Sequence, residues 1–556
     1  MATAGNSGDL DGGGAFAPLR EPVFRRIWSA SVLTNFGQLF LGIGAQWEMT
    51  KLTDSSTMVA LVQTAMMFPL MFVTLPAGAI ADMFDRRKIA MAGLAFSALN
   101  AAILATLAFM GLTSPWILLG FCVLIGAGVA LFSPSWQASI PEQVSRANLP
   151  AAVALGTISY NVARSFGPAL GGLIVLAAGA KAVFAMTSVL YAPLFIAFAS
   201  WRRKHVPSRL PPERIDRAII GGGRFALHSP PIRTALFRVL CFGLTTATAS
   251  GLAPLVAKDL LDGDAATFGV LLGAQGVGAV IGALFVSAIR EKIGTERAIK
   301  LCALGTGISL VGIGLAGSLI AACAGFFVVG VCNILTIALL NVSVQLSAPR
   351  WVTARALSLF SSAITGGIGV GAWLWGEFAD VNGVAAAYIV SGLAAGATAL
   401  LGFLLPVARN REGDNDTVTI GSEPEVELEL TPRSGPIVVE VEYSVDPDEA
   451  RDFYVVMMEM QRVRKRIGGF DWSLARDIAD PAVWTERYHC PTWGDYLRMR
   501  DRYSQDDLVI QAQANNFDRG GQGPRVRRRL ERPFGSVRWN ADSPDPLQET
   551  IGYIAP

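Results

Sequence analysis

Long apolar segments separated by short polar breaks constrain the fold of this chain more than any other feature. A helix needs about 20 apolar residues to cross the hydrocarbon core of a bilayer. Segments of about that length occupy 26–48, 57–81, 88–111, 115–138, 149–177, 182–201, 234–257, 266–288, 298–316, 318–344, 355–376 and 384–405. Only 16% of the residues are charged, against roughly 25% in a soluble domain. The sequence predicts an all-α polytopic membrane protein with about 12 transmembrane helices.

Charge alternates between the breaks, which predicts the orientation of the helices. The basic breaks contain Arg25, Arg26, Arg86, Arg87, Lys88, Arg146, Arg202, Arg203, Lys204, Arg290, Lys292, Arg297, Arg350, Arg409 and Arg411. The alternate breaks contain the basic residues Lys51, Lys181 and Lys258, and acidic residues that include Asp54, Asp264 and Asp380. Cytoplasmic loops are enriched in Lys and Arg. We therefore expect the basic breaks and both chain termini in the cytoplasm.

An internal repeat divides the spans into two sets of six. The break at 202–233 is longer than the others, and SWQASIPEQVS (135–145) aligns with SVQLSAPRWVT (343–353). Each segment lies at the end of the fourth span of its half. Two related halves are typical of transporters that rock around a central site; two loops that are similar by chance are the alternative.

Composition predicts the remaining boundaries. We expect a flexible tail at 1–22, a six-helix half at 23–201, a central loop at 202–233, a second six-helix half at 234–405, an acidic linker at 406–435, an α+β domain at 436–535 and a tail at 536–556. The Gly-rich start has no apolar core, so we expect no cleaved signal peptide there. The six cysteines form neither a CxxC pair nor a metal-spaced cluster, so we expect no metal or other cofactor.

The loop after the second span carries the motif GAIADMFDRRK, Gly78 to Lys88. It resembles the loop signature of the major facilitator superfamily, G-x-L-A-D-R-x-G-R-R-K. The matching residues include Gly78, Asp82, Arg86, Arg87 and Lys88, whereas Met83 and Asp85 depart from the signature. A carboxylate at a helix end pairs favourably with a basic residue or a helix N-terminus. The resemblance implies a major facilitator fold with a cytoplasmic gate here; a plain basic loop is the alternative.

The fifth span carries a second motif, RSFGPALGG. Gly167, Pro168, Gly171 and Gly172 match the G-P-x-x-G-G signature associated with exporters of this superfamily. Proline removes a backbone hydrogen bond and bends a helix, and glycines let a neighbouring helix approach closely. The motif predicts export, with an ordinary packing motif as the alternative.

Arg164 lies in the middle of the same span. A charge at that depth costs about 2.5–3.5 kcal/mol on insertion scales, so we expect it to face the bundle interior. Asn161 lies one turn away on the same face. We predict that Arg164 binds a substrate anion or forms a proton switch with Glu48, with helix pairing as the structural alternative and the outer interface as an alternative position for Glu48. Candidate cavity residues on other spans are Asn35, Gln38 and Asn333.

Residues 18–405 together resemble the branch of the superfamily that includes the enterobactin exporter and macrolide-efflux-like permeases. The stretch LREPVFRRIWSASVLTNFGQ is similar to the opening of that branch. The resemblance implies a transporter of the bacterial inner membrane that uses proton entry to export a siderophore, drug or secondary metabolite. An importer on the same scaffold is the alternative. We expect a small-molecule substrate and no nucleic acid as partner.

The tail reads as strand, helix, strand, strand, helix and strand from IVVEVEYSV to PRVRRRLERP. This order predicts a ferredoxin-like domain. The domain resembles the dimeric α/β-barrel domains of antibiotic-biosynthesis monooxygenases, which implies a possible homodimer through 436–535. His489 with Trp472, Trp484 and Trp493 suggests a ligand pocket, but tryptophans here are more often core. We expect no enzyme activity; a ligand sensor or an oxygenase is the alternative role for the tail.

Overall fold

A computed structural model describes residues 16–83, 85–145, 148–201, 223, 228–349, 352–407, 424, 426–521 and 523–531. The side chains of 74–83, Ala138, Pro150 and Ala354 lie outside this description. The chain divides into two compact units. The first unit contains 1–219, 234–343 and 357–408, and the second contains 220–233, 344–356 and 409–556.

The part of the chain up to residue 407 is helical. Its main helices are α1 Pro22–Leu52, α2 Ser56–Met83, α3 Arg86–Phe109, α4 Pro115–Ser139, α5 Leu149–Ser200, α6 Pro230–Thr246, α7 Ala265–Leu284, α8 Val286–Ile293, α9 Thr295–Gly314, α10 Leu319–Ser347, α11 Thr353–Asn382 and α12 Val384–Ala397. After α6 the chain continues through two short helices, Thr248–Gly251 and Ala253–Leu255, and a π turn at Val256–Leu260. Each apolar segment predicted from the sequence overlaps one of these helices.

Within the described residues, nine helices are long and apolar enough to cross a membrane. One of them, Ala151–Ser200, has 50 residues, which at about 1.5 Å per residue is roughly 75 Å, more than twice the thickness of a bilayer core. Gly179 has a φ of 78° and breaks this helix. The helix therefore contains two of the predicted spans. The count of 12 crossings, which also needs α1 and the 17-residue α6, stays a prediction.

Polar side chains fix where several helices begin. The Asp264 carboxylate accepts a hydrogen bond from the backbone N–H of Thr267 at 2.9 Å, and the Thr267 hydroxyl bonds back to the Asp264 backbone. Ser114 accepts from the backbone N–H of Ile117 at the start of α4. Such caps satisfy backbone donors that have no partner within the helix. They fix the residues at which α4 and α7 begin.

The buried residues of the first unit show how its two halves meet. One continuous core contains residues of both halves, including Trp47, Val59, Phe268 and Tyr388. Two other clusters of described residues each lie within one half: Ile27, Phe132 and Phe198 belong to a cluster of the first half, and Cys302, Cys332 and Leu335 to a cluster of the second. We name the end with the shared core, where 53–55 and 261–264 connect helices, the closed end. The opposite end, where 85 and 140–145 lie, is the open end.

The second unit contains a four-stranded antiparallel sheet in the order β2-β3-β1-β4. Its elements are β1 Ile437–Ser444, α13 Ala450–Ile467, β2 Phe470–Arg476, β3 Val483–Cys490, α14 Trp493–Arg500, α15 Gln505–Asn516 and β4 Arg525–Leu530. The odd-numbered residues of β1, among them Val439 and Tyr443, pack with Phe453 and Met457 of α13 in one core. The connectivity is the predicted one with an extra helix, α15, which the sequence analysis missed.

Candidate functional site

The glycine-proline motif of α5 packs against a helix of each half. A Cβ atom at Gly167 lies 3.2 Å from Leu39 Cβ of α1, and one at Gly171 lies 3.2 Å from Phe40 Cδ1. On another face of α5, a Cβ atom at Gly172 lies 2.8 Å from the Cα atom of Gly269 in α7. These sites exclude larger side chains because the neighbouring backbone or side chain occupies the space. The motif thus brings α5 close to α1 of its own half and to α7 of the other half.

Arg164 lies in the sector of α5 between these two contact faces. Successive residues of an α-helix are about 100° apart, and this spacing places Arg164 between the α1 face and the α7 face. The large apolar residues Val162, Phe166 and Leu173 are exposed on the opposite side, where lipid is expected. Arg164 itself is half-buried. No described residue gives its guanidinium a hydrogen bond or an ion pair.

Polar residues of α1 lie at the level of Arg164. The Asn35 side-chain amide donates to Ser159 Oγ of α5 at 3.0 Å. Gln38 of α1 and Asn161 of α5 are half-buried. The contact between Asn35 and Ser159 and the packing of Gly167 on α1 bracket Arg164 along the helix axis. The structure therefore brings four predicted site residues, on α1 and α5, to one level of the bundle.

Glu48 is not at that level. The α1–α5 contacts advance together along both helices, so Arg164 lies level with Gln38. Glu48 is ten residues further along α1, about 15 Å at ~1.5 Å per residue. Its carboxylate is 4.0 Å from Lys51 Nζ on the same helix. The structure does not bring Glu48 together with Arg164.

Asn333 lies on α10 in the second half. Its side-chain oxygen is buried and has no hydrogen-bond partner within the described part of the chain. A buried polar atom without a partner is costly, so such an atom in a transporter is a candidate ligand contact. α10 crosses α7 through Gly282, where a Cβ atom lies 2.9 Å from the Val331 carbonyl oxygen.

The described basic residues of the predicted gate bind within the first half. Arg86 Nη1 donates to Glu142 Oε1 at 3.2 Å, and Arg87 Nη2 donates to the Ala199 carbonyl oxygen at 2.5 Å. The second contact satisfies a carbonyl at the C-terminus of α5. Lys88 is exposed. These contacts join the loops of one half at the open end.

The other two gate residues, Gly78 and Asp82, lie outside the residues whose side chains the structure describes. The proposed latch between Asp82 and the other half thus stays a prediction.

A polar contact set that the sequence analysis missed joins the two halves at the closed end. The Asp380 carboxylate of α11 accepts hydrogen bonds from Ser55 Oγ at 2.8 Å, the Ser56 N–H at 2.5 Å, and the Thr57 N–H and Oγ1 at 3.1 and 2.5 Å. It therefore caps the N-terminus of α2 from another helix. The signal in the sequence is a carboxylate at the end of one span and the tripeptide Ser-Ser-Thr at the start of another.

Three further contacts support the closed end. Lys258 Nζ donates to the Thr50 carbonyl oxygen at 3.0 Å, and the Gln46 amide donates to the Ser250 carbonyl oxygen at 3.0 Å. The rings of Trp47 and Phe268 stack with centroids 6.2 Å apart. Each contact joins a residue of the first half to one of the second.

The second half repeats the arrangement seen around α5. Gly367 and Gly371 of α11 pack on the backbone of α6, and a Cβ atom at Gly376 lies 2.9 Å from the Cα atom of Thr57 in α2. α11 therefore contacts one helix of its own half and one of the other half, as α5 does. This correspondence is expected of two related halves that move as bodies.

The tail residues considered as a pocket lie on opposite faces of the sheet. The Trp472 indole donates to Glu486 at 2.9 Å on the helix side, and Trp484 packs on Phe453. His489 faces the other side, where its Nε2 is 3.2 Å from Glu531. The structure does not bring these groups together. No group of three or more metal-ligating side chains occurs among the described residues.

A bundle of long apolar helices, with one core shared by its two parts and polar residues of α1 and α5 at one level, is typical of a membrane transporter. Residues 13–534 match the family model described as transmembrane secretion effector. The chain belongs to this family of the major facilitator superfamily. It is a secondary transporter and not an enzyme.

Curated relatives agree with this assignment. The chain is 24% identical to the staphyloferrin A transporter of Staphylococcus aureus over 51% of this chain and 72% of that protein. It is 26% identical to the multidrug efflux pump Tap of Mycolicibacterium fortuitum over 66% of this chain and 91% of that protein. It is 25% identical to the enterobactin exporter EntS of Escherichia coli O1:K1 over 64% and 85%.

Solved transporters share the fold. An auto-inhibited peptide transporter of the POT family aligns with a TM-score of 0.56 at 12% identity, over 70% of this chain and 98% of that chain. The nucleoside transporter NupG aligns with a TM-score of 0.55 at 10% identity, over 69% and 99%. At these identities the likeness concerns the fold alone. It confirms the prediction of a polytopic helical fold of the major facilitator type.

Proposed function

We propose that this chain exports a small organic molecule, such as a siderophore, a drug or a secondary metabolite, by alternating access driven by proton entry. The observation that carries the proposal is Arg164, a half-buried charge on α5 between its contact faces with α1 and α7, in a bundle whose halves share a core at the closed end. The functions of the relatives, a multidrug efflux pump and an enterobactin exporter, support the direction of transport. The G-P-x-x-G-G motif supports it as well.

The open end is the cytoplasmic end in this proposal. It carries the basic cluster Arg86, Arg87 and Lys88, and basic loops remain inside the cell. Both termini are then cytoplasmic in the bacterial inner membrane, and the conformation is open to the cytoplasm. An exporter in this state is ready to receive its substrate from inside.

The substrate site consists of Arg164 and Asn161 of α5 with Asn35 and Gln38 of α1, and Asn333 contributes from the second half. A guanidinium without an ion-pair partner among the described residues, on the side of α5 away from lipid, suits an anionic group of the substrate. Because Glu48 is about 15 Å away along the helix axis, it acts separately from Arg164, as a proton carrier nearer the closed end.

Gating completes the cycle. Asp82 with the basic loop locks the cytoplasmic end once the halves close there, and the bent α5 maintains the seal between α5 and α7 that restrains proton leak.

The tail forms a homodimer through 436–535. The sheet face opposite its helices carries two ion pairs, Glu440 with Arg529 at 3.1 Å and Glu442 with Arg527 at 3.8 Å. This polar face suits a contact with a second copy.

The test compares small molecules in medium and cell extract from cells that lack the protein or carry wild-type, Arg164→Ala or Arg297→Ala chains. We expect at least one organic anion to accumulate inside cells with the deletion and with Arg164→Ala, and to leave cells with the wild type. Arg297 is exposed in the first turn of α9, so its replacement serves as the charge-matched control. Nigericin, which collapses the pH gradient, is expected to stop export.

Depletion of the compound inside the deletion cells, with retention in the medium, indicates an importer and refutes the direction. Wild-type export by Arg164→Ala refutes the site assignment, provided that both variants reach the membrane in equal amounts.

A further inference from the structure

The tail domain has a cavity between its sheet and its helices that opens to solvent on one side. The cavity has a volume of about 200 Å³. Its walls include Tyr443, Tyr488 and Arg528 from the strands and Arg464, Tyr496 and Tyr503 from the helical side. Ligand sites are typically concave clefts lined by aromatic side chains and a few polar groups. A cleft with this lining is therefore a candidate ligand site.

The floor of the cavity is a rigid charged group. Arg464 is buried; its Nε and Nη2 donate to the two oxygens of Glu486 at 2.9 and 3.1 Å, and its Nη1 donates to Tyr503 Oη. Its guanidinium also lies 4.8 Å from the Tyr488 ring. Burial, the largest single effect, lowers the pKa of Arg464, but the attraction of Glu486 together with its hydrogen bond and the neighbouring Tyr488 and Tyr443 outweighs it, so the net pKa is raised and the group remains charged. The floor thus has fixed donors and a fixed shape.

The walls combine flat aromatic rings with positive charge. Burial raises the pKa of Tyr443 and Tyr488, so these phenols remain neutral hydrogen-bond donors. Among the described residues that line the cavity, Arg464, Arg500 and Arg528 are charged and none is a carboxylate. Arg528 Nε lies 2.5 Å from Tyr496 Oη, at the exposed edge of the cavity. Both the positive charge and the flat rings favour a flat, negatively charged ligand.

We propose that this cavity is a binding site for a compact aromatic anion, one or two fused rings with a carboxylate or sulfonate. The rings of the ligand stack between tyrosine faces, and its anionic group meets Arg528 and Arg500 at the edge. Ligand sites for drug-sized molecules usually measure about 300–1,000 Å³, so this smaller cavity excludes larger polycyclic compounds. The site is separate from the substrate level around Arg164 and does not rest on the proposed direction of transport.

The test uses the purified full chain in lipid nanodiscs and two probes of nearly equal shape, 1-naphthoate and the neutral 1-naphthamide. Calorimetric titration measures the affinity of each probe. We expect one equivalent of 1-naphthoate to bind, and 1-naphthamide to bind at least about tenfold more weakly, because charge-assisted hydrogen bonds are roughly twice as strong as neutral ones.

Three variants assign the site. The double variant Arg500→Gln with Arg528→Gln is expected to weaken 1-naphthoate about tenfold while its affinity for 1-naphthamide stays unchanged. Arg525→Gln is the matched control, because Arg525 is exposed on the same strand and does not line the cavity. Arg164→Gln tests for binding in the transport pathway instead and is expected to leave 1-naphthoate binding intact.

Three results overturn the proposal. They are equal affinities for the two probes, unchanged 1-naphthoate binding in the double arginine variant, and loss of binding in Arg164→Gln. The last result assigns the probe to the membrane part of the chain. A failure of any kind leaves the export test unaffected, since that test follows a different site.

Discussion

Asp380 gives the sharpest prediction, because a single carboxylate joins α11 of the second half to the start of α2 in the first. It accepts four hydrogen bonds there, two of them from backbone N–H groups. These contacts exist only while the closed end is closed. Replacing Asp380 by alanine therefore removes stabilisation from this conformation and leaves the conformation open at that end unaffected.

The magnitude follows from the exposure and the geometry of the contact. Hydrogen bonds to a charged group contribute about 1.5–3 kcal/mol each when buried, but Asp380 is exposed, so water replaces most of this when the contact opens. Loss of a helix N-cap costs about 0.5–2 kcal/mol. We expect Asp380→Ala to destabilise the conformation closed at this end by about 1.5–2 kcal/mol, which corresponds to a tenfold to thirtyfold shift of the conformational equilibrium. Asparagine caps almost as well as aspartate, so we expect a smaller shift for Asp380→Asn.

Double electron–electron resonance measures the distances between two spin labels and so reports the populations of the two conformations. Leu112 and Gly317 lie in loops at the closed end of the two halves, and both are exposed. A Cβ atom at Gly317 meets no atom within 4 Å, so a labelled cysteine fits there. In a chain whose native cysteines are replaced, Asp380→Ala is expected to increase the population with a long distance between the labels by about tenfold.

Asp54→Ala is the matched control, because it removes the same charge at the same end. Its carboxylate is exposed and 3.9 Å from Lys258 Nζ, and exposed pairs contribute about 0–1 kcal/mol. An unchanged distance distribution for Asp380→Ala, measured beside this control, refutes the reasoning. It means that the apolar core at the closed end, and not the carboxylate, determines the equilibrium.

Two further predictions concern packing and the tail. Gly269→Ala places a carbon 2.9 Å from a backbone oxygen of α5, whereas Gly273→Ala places one 3.4 Å from a side-chain carbon. Overpacking at Gly269 costs about 1–3 kcal/mol. We therefore expect only Gly269→Ala to lower the thermal unfolding temperature of the purified chain. Glu486→Ala leaves a buried guanidinium unpaired, at a cost of about 3–5 kcal/mol. The half-buried Glu440 is paired with the exposed Arg529, so Glu440→Ala costs about 0–1 kcal/mol. Burial raises the pKa of the Cys490 thiol to about 12, so maleimide labelling of Cys490 reports opening of the tail; it is expected to accelerate at least about a hundredfold in Glu486→Ala. Equal temperatures for the two glycine variants, or equal labelling rates for the two glutamate variants, contradict these expectations.

The positions of the helices could be predicted from the sequence because apolar length is a local property. Each predicted span overlaps an observed helix, and the strands of the tail follow from alternation and turn residues. The helix α15 was missed because residues 505–516 lack an apolar period, and the capping box of Ser504 and Asp507 is its main signal. A start signal without periodicity does not distinguish a helix from a loop.

The levels of residues along the bundle could not be predicted in this way. Arg164 and Glu48 each lie within an apolar span, but whether they meet depends on how α1 and α5 align, which is set by the contacts of Gly167 and Gly171 with α1. Asp380 and Ser55 are 325 residues apart in the chain. Pairing at such a distance depends on the packing of α2 against α11. The motif glycines were recognised as packing sites, but their two partners were not.

The two glycine-rich contacts, α5 with α7 and α11 with α2, explain how weak polar contacts can control a large movement. Backbones that approach closely at small residues slide without the interlocking of large side chains, so the halves meet across surfaces that resist rocking little. Moving an equilibrium from 1:99 to 99:1 needs about 5.5 kcal/mol. The closed-end contacts of Asp380, Lys258 and Gln46, at about 0.5–2 kcal/mol each, add up to about 1.5–6 kcal/mol, which reaches this value at its upper end. A substrate that binds between the halves therefore has enough differential affinity to exchange one set of contacts for the other, provided that the set at the closed end remains this small.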